Sequence, residues 1–312
     1  MKTQWNIDEL EAHFMLLPPE VEWLDPEAKD SNRLGQAIML KYFQYEGRFP
    51  EESRDVPADI LDFIAQQLEI DAAAVKRYQW DGRTARNHKR AIRELHGFRA
   101  VTVEDQTELR DWLIAEALPD EHRLHHLAQL AYERLRQLHI EPPTQGRMER
   151  LVSSARHRYD QQFFKEVAAQ LPDPVKAKIT SLIHTDAVSI DADGIASEDD
   201  PEQFRIHDLK TGSGVAKINN IKQVVTRLNY LQEIALPDDL FAGVPWRYLQ
   251  HFAQQAAVES VSHLQRHENE DQTLTLLAAF CWVRQRKITD QLVELFIQVL
   301  NDIRLRAKQR VE

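Results

Sequence analysis

Cysteine is nearly absent from this chain. Cys281 is the only one, which excludes a disulfide framework and any multi-cysteine zinc site. Its neighbours, Ala278-Ala279-Phe280 and Trp282-Val283, mark it as a small core residue. Long hydrophobic runs are missing too. The longest clean one, Leu276 to Val283, has eight residues and is too short to span a bilayer. The N-terminus shows no basic segment followed by an apolar run, so no secretory signal is read and a cytoplasmic, soluble protein is expected. Glycine is scarce, at nine in 312 residues, which excludes collagen-like composition. No segment alternates apolar and polar residues convincingly, so strands are not expected. Neither a G-x-S-x-G elbow nor a Ser-His-Asp context is recognisable, and no catalytic residue, metal or cofactor is assigned.

What the chain does have is apolar residues at helical spacing. Leu34, Ile38 and Tyr42 share a face, as do Ile60, Ile64 and Leu68, and Leu292, Phe296, Val299 and Ile303 recur at intervals of 4, 3 and 4. A hydrophobic content of 43% supports packed cores, and the length allows two or three compact units. The expected fold class is all-α: a multi-helix chain of two or three small helical domains. The expected division is 1–140, a helical part; 141–210, a long helix and an acidic loop; and 211–312, a C-terminal helical bundle segment.

Breakers and caps give the expected boundaries. Leu17-Pro18-Pro19 ends a first helix, Asp71 caps a short one, and Gly97-Phe98 stops another. Thr102 to Glu116 reads as one helix, and 121–139 as the next, with Leu124, Leu127, Leu130, Leu135 and Leu138 inward. Glu141-Pro142-Pro143-Thr144 is the clearest linker of the first half. Residues 186–214 read as a mobile loop, Pro245 to about His263 as a helix, and Asp271 to Arg286 as a buried helix, with Thr289 capping the last one.

Charge is unevenly distributed. The net charge is -11, yet Lys76 to Arg99 holds eight Lys or Arg against Asp81 and Glu94. On a helix from Arg83 to His96, Ala85, His88, Ile92 and Leu95 fall on one face. Arg83, Arg86, Arg90 and Arg93, spaced 3, 4 and 3, fall roughly opposite, and the row is expected to stand without acid partners at i±4. A row of guanidinium groups suits phosphate oxygens, which accept bidentate, charge-assisted hydrogen bonds. The bland alternative is a solvated basic face paired with acidic neighbours. Arg147, Arg150, Arg156 and Arg158 form a second, weaker cluster. Trp80, beside the Asp81-Gly82 turn, is expected to pack rather than to stack on bases.

Three other motifs reduce to ordinary structure. Asp191-Ala192-Asp193-Gly194 departs from a calcium loop, because aligning its glycine places Ser189 first and Asp200 last. Lys210-Thr211-Gly212-Ser213-Gly214 lacks the full phosphate-loop pattern and reads as a hinge. His125, His126 and His139 lack metal-ligand spacing.

Five stretches carry a resemblance to a known family: SNRLGQAIMLKYFQYEGRFP (31–50), VPADILDFIAQQLEID (56–71), YQWDGRTARNHKRAIRELHGFR (78–99), LPDDLFAGVPWRYLQHFAQQAAVE (236–259) and TLLAAFCWVRQRKITDQLVELFIQVLNDI (275–303). In that order they resemble the N-terminal part of transposases of the Tn-three family, the enzymes of replicative bacterial transposons. The resemblance implies a helical region that recognises terminal inverted repeats, with helix-turn-helix-like DNA-binding units, 1–140 as the DNA-binding part and 141–210 as a linking or second DNA-binding segment. It places catalysis in a later ribonuclease-H-like domain, with two Asp and one Glu on divalent metal, that would begin beyond Glu312. The expectation is therefore sequence-specific binding of double-stranded DNA at transposon ends, without strand cleavage. Arg77, Arg83, Arg86, Lys89, Arg90 and Arg93 are the first contact surface, and Arg147, Arg150, Arg156 and Arg158 the second. The acidic loop is not expected to touch DNA. The rival expectation is a protein-interaction fragment that self-associates or joins full-length transposase through the apolar helices at 271–305.

Overall fold

A computed structural model describes residues 2, 4–184, 204–210 and 218–309. Expectations for Asp191 to Gly194, for Thr211 to Gly214 and for most of the acidic loop lie outside the described residues. Those that are described form an all-α, multi-helix protein with no strand. An isolated parallel bridge pairs Arg99 with Ile140. The chain divides into two compact units, Met1–His157 and Arg158–Glu312.

In the first unit, caps and breakers set the elements. Asn6 opens α1 (Ile7–Phe14) by accepting from the Glu9 amide, while Glu9 reaches back to the Asn6 amide. The Leu17-Pro18-Pro19 run, expected only as an end, also begins α2 (Pro18–Trp23), because proline in a first turn forfeits no helical hydrogen bond. Helix α3 (Asp30–Glu46) ends on Gly47, held left-handed at φ 72°. A 3-10 turn (Ser53–Asp55) leads to α4 (Ala58–Gln67), and a second one (Ala72–Arg77) is capped by Asp71. The basic helix follows as α5 (Arg83–His96).

Thr102 and Asp105 form a reciprocal cap on α6 (Val103–Trp112). That helix gives way to a π turn, Leu113–Ala117, where a continuous helix to Glu116 was expected. Helix α7 (Leu124–Gln137) buries Leu127 and Leu135 but leaves Leu124 and Leu138 exposed, against the expectation of an unbroken inward leucine face. The division between units falls within α8 (Gln145–Gln170).

Helix α3 is the central element of this unit: every residue from Leu34 to Phe43 is buried. One core joins Leu34 and Ile38 to Leu10, Phe14, Ile60 and Ile64. A second joins Met39, Leu40 and Phe43 to Phe49, Tyr78, Ala85 and Ile92 of the basic region. Lys41 lies within this apolar surround because Glu20 pairs with it at 3.0 Å, with Gln44 bonding the same carboxylate. An unpaired buried ammonium would be far more costly.

In the second unit the described elements are α9 (Asp173–Ser181), α10 (Ile206–Lys210), α11 (Ile218–Glu233), α12 (Trp246–Val258), α13 (Val261–Leu264) and α14 (Glu270–Gln309). Helix α10 sits where a loop was expected, with Ile206 and Leu209 buried. The helix expected from Pro245 to His263 breaks at Glu259, and Ser260 caps α13. The expected cap at Thr289 is not one. Its hydroxyl bonds the Gln285 carbonyl at 2.9 Å, and with no glycine or proline between Glu270 and Gln309 the helix runs through. The segment Leu274–Val283, fully buried and including Cys281, forms the core with α9, α11 and α12. Burial pushes the Cys281 thiol up to about 12, so it remains a protonated core group.

Candidate nucleic-acid interface

The basic helix is held by an aromatic strut. Tyr78 is buried against α3, and its hydroxyl lies 2.9 Å from His88 Nδ1 and 3.5 Å from Met39 Sδ. Its ring stacks on the His88 ring at 5.8 Å and meets Trp80 edge-on at 5.0 Å. Trp80 itself packs partly buried against both cores of the unit. Gly35 permits this approach, since a Cβ there would lie 2.5 Å from the Tyr78 ring. Burial depresses the His88 and His96 pKa values and raises that of the Tyr78 phenol.

The far end of α5 is fixed differently. Gly97, left-handed at φ 69°, stops the helix, and Phe98 packs edge-on against Phe43 at 5.1 Å. The Arg99 amide donates to the His139 carbonyl at 3.0 Å, and the Glu141 amide donates to the Arg99 carbonyl at 2.8 Å. The Arg99 side chain grips Asp105 with two bonds of 2.5 Å, holding that carboxyl far below the usual carboxylate range. Arg93 bonds Glu141 at 2.5 Å.

These contacts sort the basic residues. Arg77, Arg83 and Arg86 are exposed and have no ion-pair partner among the described residues. Arg90 is exposed and sits 3.9 Å from Glu94, so the expectation of no acid at i±4 is corrected. That pair is open to solvent on both sides and holds Arg90 weakly. Lys89 lies half-buried over the Phe49 ring at 5.7 Å, and burial lowers its pKa. Arg93 is turned inward and neutralised by Glu141. Leu95, expected inside, is 48% exposed. The helix is rotated from the expected orientation because His96 and Lys89 lean onto Phe43 and Phe49, at 5.9 and 5.7 Å, and draw their edge of α5 inward. The outward stripe is therefore Arg83, Arg86 and Arg90, with Asn87 beside it. A polar groove adjoins it between the starts of α3 and α5, lined by Lys29, Asp30, Ser31, Asn32, Arg77 and Thr84 among others.

Of the second cluster, Arg147 and Arg150 are exposed on the first turns of α8, and Arg150 Nε donates to the Gly146 carbonyl at 3.1 Å. Arg156 is half-buried, and Arg158 belongs to the second unit. Among the histidines expected to be ordinary, His126 lies 2.8 Å from Glu121, whose carboxyl Arg123 and His126 hold well below the usual range. Among the described residues one group has the atoms to hold a metal: Glu259, His263 and His267. Sequence reading missed it, although its spacing of 4 and 4 was visible. No helix of the described residues is long and apolar enough to cross a membrane.

The first unit thus carries an exposed arginine stripe on an aromatic-braced helix. Residues 1–155 match the family described as "Domain of unknown function (DUF4158)". Over nearly the whole chain the sequence is similar to transposases. It is 24% identical over 310 residues to the "Transposase for transposon gamma-delta" of Escherichia coli (strain K12), covering 97% of this chain and 29% of that protein. It is 23% identical over 295 residues to the "Transposase for transposon Tn2501" of Escherichia coli, covering 93% and 28%. It is 24% identical over 313 residues to the "Transposase for transposon Tn501" of Pseudomonas aeruginosa, covering 94% and 28%. The chain spans less than a third of the length of these relatives. The resemblance stated from the sequence motifs therefore holds along most of the chain, which is consistent with the N-terminal region of a Tn-three-type transposase.

Proposed function

We propose that this chain binds the terminal inverted repeats of a transposon in a sequence-specific manner, as the N-terminal part of a transposase, and performs no strand cleavage itself. The relatives' names support a role in transposition. The observation that carries DNA contact is the exposed stripe of Arg83, Arg86 and Arg90 on a helix fixed at both ends. A rigid helix presents guanidinium groups in fixed register, so phosphate contacts set its position and one or two arginines are placed to read guanine edges in the major groove. Arg77 and the adjoining groove extend the phosphate-binding surface, and Arg147 and Arg150 offer a second one. Lys89 and Arg93 drop from contact to support. The test is a titration of the purified chain on a terminal-repeat duplex and on a scrambled duplex, at two salt concentrations. Tighter binding to the repeat that weakens with salt supports the reading; equal, weak binding to both overturns it.

A second reading rests on α14. Val293, Phe296, Ile297 and Leu300, at helical spacing, are each more than half exposed, a stripe suited to packing against a second copy of the same helix. Gel filtration of the chain without DNA would show a dimer that Phe296→Glu dissolves; a monomer at high concentration removes this reading.

A further inference from the structure

At the end of α12 the backbone leaves helical conformation at Glu259, with ψ 143°, and re-enters a helix at Ser260, whose hydroxyl accepts from the His263 amide at 3.2 Å. This turn gathers three side chains that lie four residues apart in sequence. Glu259 Oε2 is 3.0 Å from His263 Nδ1 and 2.9 Å from His267 Nε2. All three ligand atoms lie within 4.8 Å of one another. Gln255 donates from Nε2 to Glu259 Oε1 at 2.8 Å, which leaves Oε2 to face the two imidazoles. The nearby Lys210 ammonium bonds the Glu259 backbone carbonyl at 3.3 Å and not the carboxylate. Burial raises the Glu259 pKa, but the bonds from Gln255 and His263 outweigh it and hold the group below its ordinary value. The His267 side chain is only 9% exposed, whereas that of His263 is 65% exposed, so the cluster is walled on one side and open to solvent on the other.

Two imidazole nitrogens and one carboxylate oxygen form a donor set for a borderline cation, with a fourth position left to water. Calcium and magnesium select all-oxygen sites and are disfavoured by two imidazoles. We propose that Glu259, His263 and His267 form a zinc-binding site. Gln255 is its positioning residue: it orients the carboxylate as outer partners of metal ligands do. The ion fastens the end of α12 to the segment that leads into α14, joining two elements of the second unit's core. Because the ligands are gathered only in the folded chain, zinc stabilises the native state by mass action. The site uses none of the arginines of the first unit and stands independently of DNA binding.

The test uses the full, tag-free chain stripped of metal with a chelator. Zinc titration by calorimetry is expected to show one equivalent bound, cobalt substitution to give the visible absorption of a four-coordinate site, and zinc to raise the melting temperature. His263→Ala, at an exposed position that leaves the core untouched, is expected to weaken binding on the order of 100-fold and to abolish the cobalt absorption. Glu259→Gln, which keeps shape and removes charge, is expected to weaken it as well. With 13 histidines in the chain, adventitious binding is the competing explanation. One-equivalent binding that survives unchanged in His263→Ala and Glu259→Gln overturns the proposal, as does the absence of saturable binding in the wild type.

Discussion

Replacing Arg83, Arg86 and Arg90 together by alanine tests the division of the basic helix into an outward stripe and an inward brace. All three side chains are exposed, and only Arg90 has an ionic neighbour, Glu94 at 3.9 Å with both side chains about 70% exposed, 68% and 71%. Removing them therefore costs the fold little, because exposed pairs contribute at most about 1 kcal/mol. Their effect appears in binding. Each phosphate contact contributes about 0.9 to the slope of log affinity against log salt on B-DNA, so the stripe contributes roughly 0.9 if one arginine meets a phosphate and at most roughly 2.7 if all three do. Between about 50 and about 200 mM salt, the wild type then loses roughly 3-fold to roughly 40-fold more affinity than the triple variant, the upper figure applying if all three arginines meet phosphates. Arg93→Ala is the matched control. It leaves Glu141 without its partner in a site where the two side chains are 18% and 19% exposed. Loss of such a charge-assisted bond costs about 1–3 kcal/mol, visible as a fall in melting temperature with little change in slope. Fluorescence anisotropy on a terminal-repeat duplex across a salt series, beside thermal unfolding of each variant, reads both quantities. An unchanged slope in the triple variant refutes the stripe as the contact surface. A flattened slope in Arg93→Ala at an unchanged melting temperature refutes the assignment of Arg93 as a brace.

Three further outcomes follow from the packing. Gly35→Val drives a branched side chain into the Tyr78 ring, which already sits 2.5 Å from where a Cβ would be, and should cost about 2–3 kcal/mol in urea denaturation; an unchanged midpoint removes Tyr78 as the strut. Gly97→Ala meets no atom within 4 Å but must hold φ 69°, so it should cost about 1 kcal/mol, largely recovered in Gly97→Asn. His88 has a pKa depressed by burial, so the stability it contributes is complete above about pH 6.5 and is lost as pH falls through its folded value, where the unfolded chain takes up the proton first. His88→Gln should therefore flatten the decline in stability between about pH 7 and about pH 5, and a decline as steep as wild type would show that other groups cause it.

The helical class was legible because the described prolines keep to loops, caps and first turns and apolar residues keep helical spacing. Boundaries set by a local device were legible too: Asp71 and Gly97 act through their own neighbours. Features set by distant partners were not. Arg93 looks as free as Arg86 until Glu141, 48 residues later, is brought against it. The rotation of α5 depends on Phe43 and Phe49, which no periodicity within α5 reports. Proline and threonine misled where their chemistry has two uses. Pro18 both ends and begins a helix, and Thr289 satisfies its hydroxyl on the preceding turn instead of capping the next helix. The Glu259, His263 and His267 group was hidden by a helix break, since the expected continuous helix gave no reason to examine a turn there.

The parallel bridge between Arg99 and Ile140 bears on the order in which the first unit assembles. The backbone clasp beyond α5 forms when the chain closes an interval of 41 residues, from position 99 to position 140, and adds to the hold of Phe98 on Phe43. Such closure must lose loop entropy before its contacts form, and it grows costlier with interval length. The start of α5 is held by Tyr78, ten residues before His88, and the seat of Tyr78 on Met39 closes a comparable interval of 39 residues. Because α3 precedes α5 in the chain and residues 139–141 follow it, the partners of its first half are synthesised before those of its C-terminal clasp. A fragment cut before Ile140 keeps every arginine of the stripe but loses the two backbone bonds that clasp the end of the helix to residues 139–141.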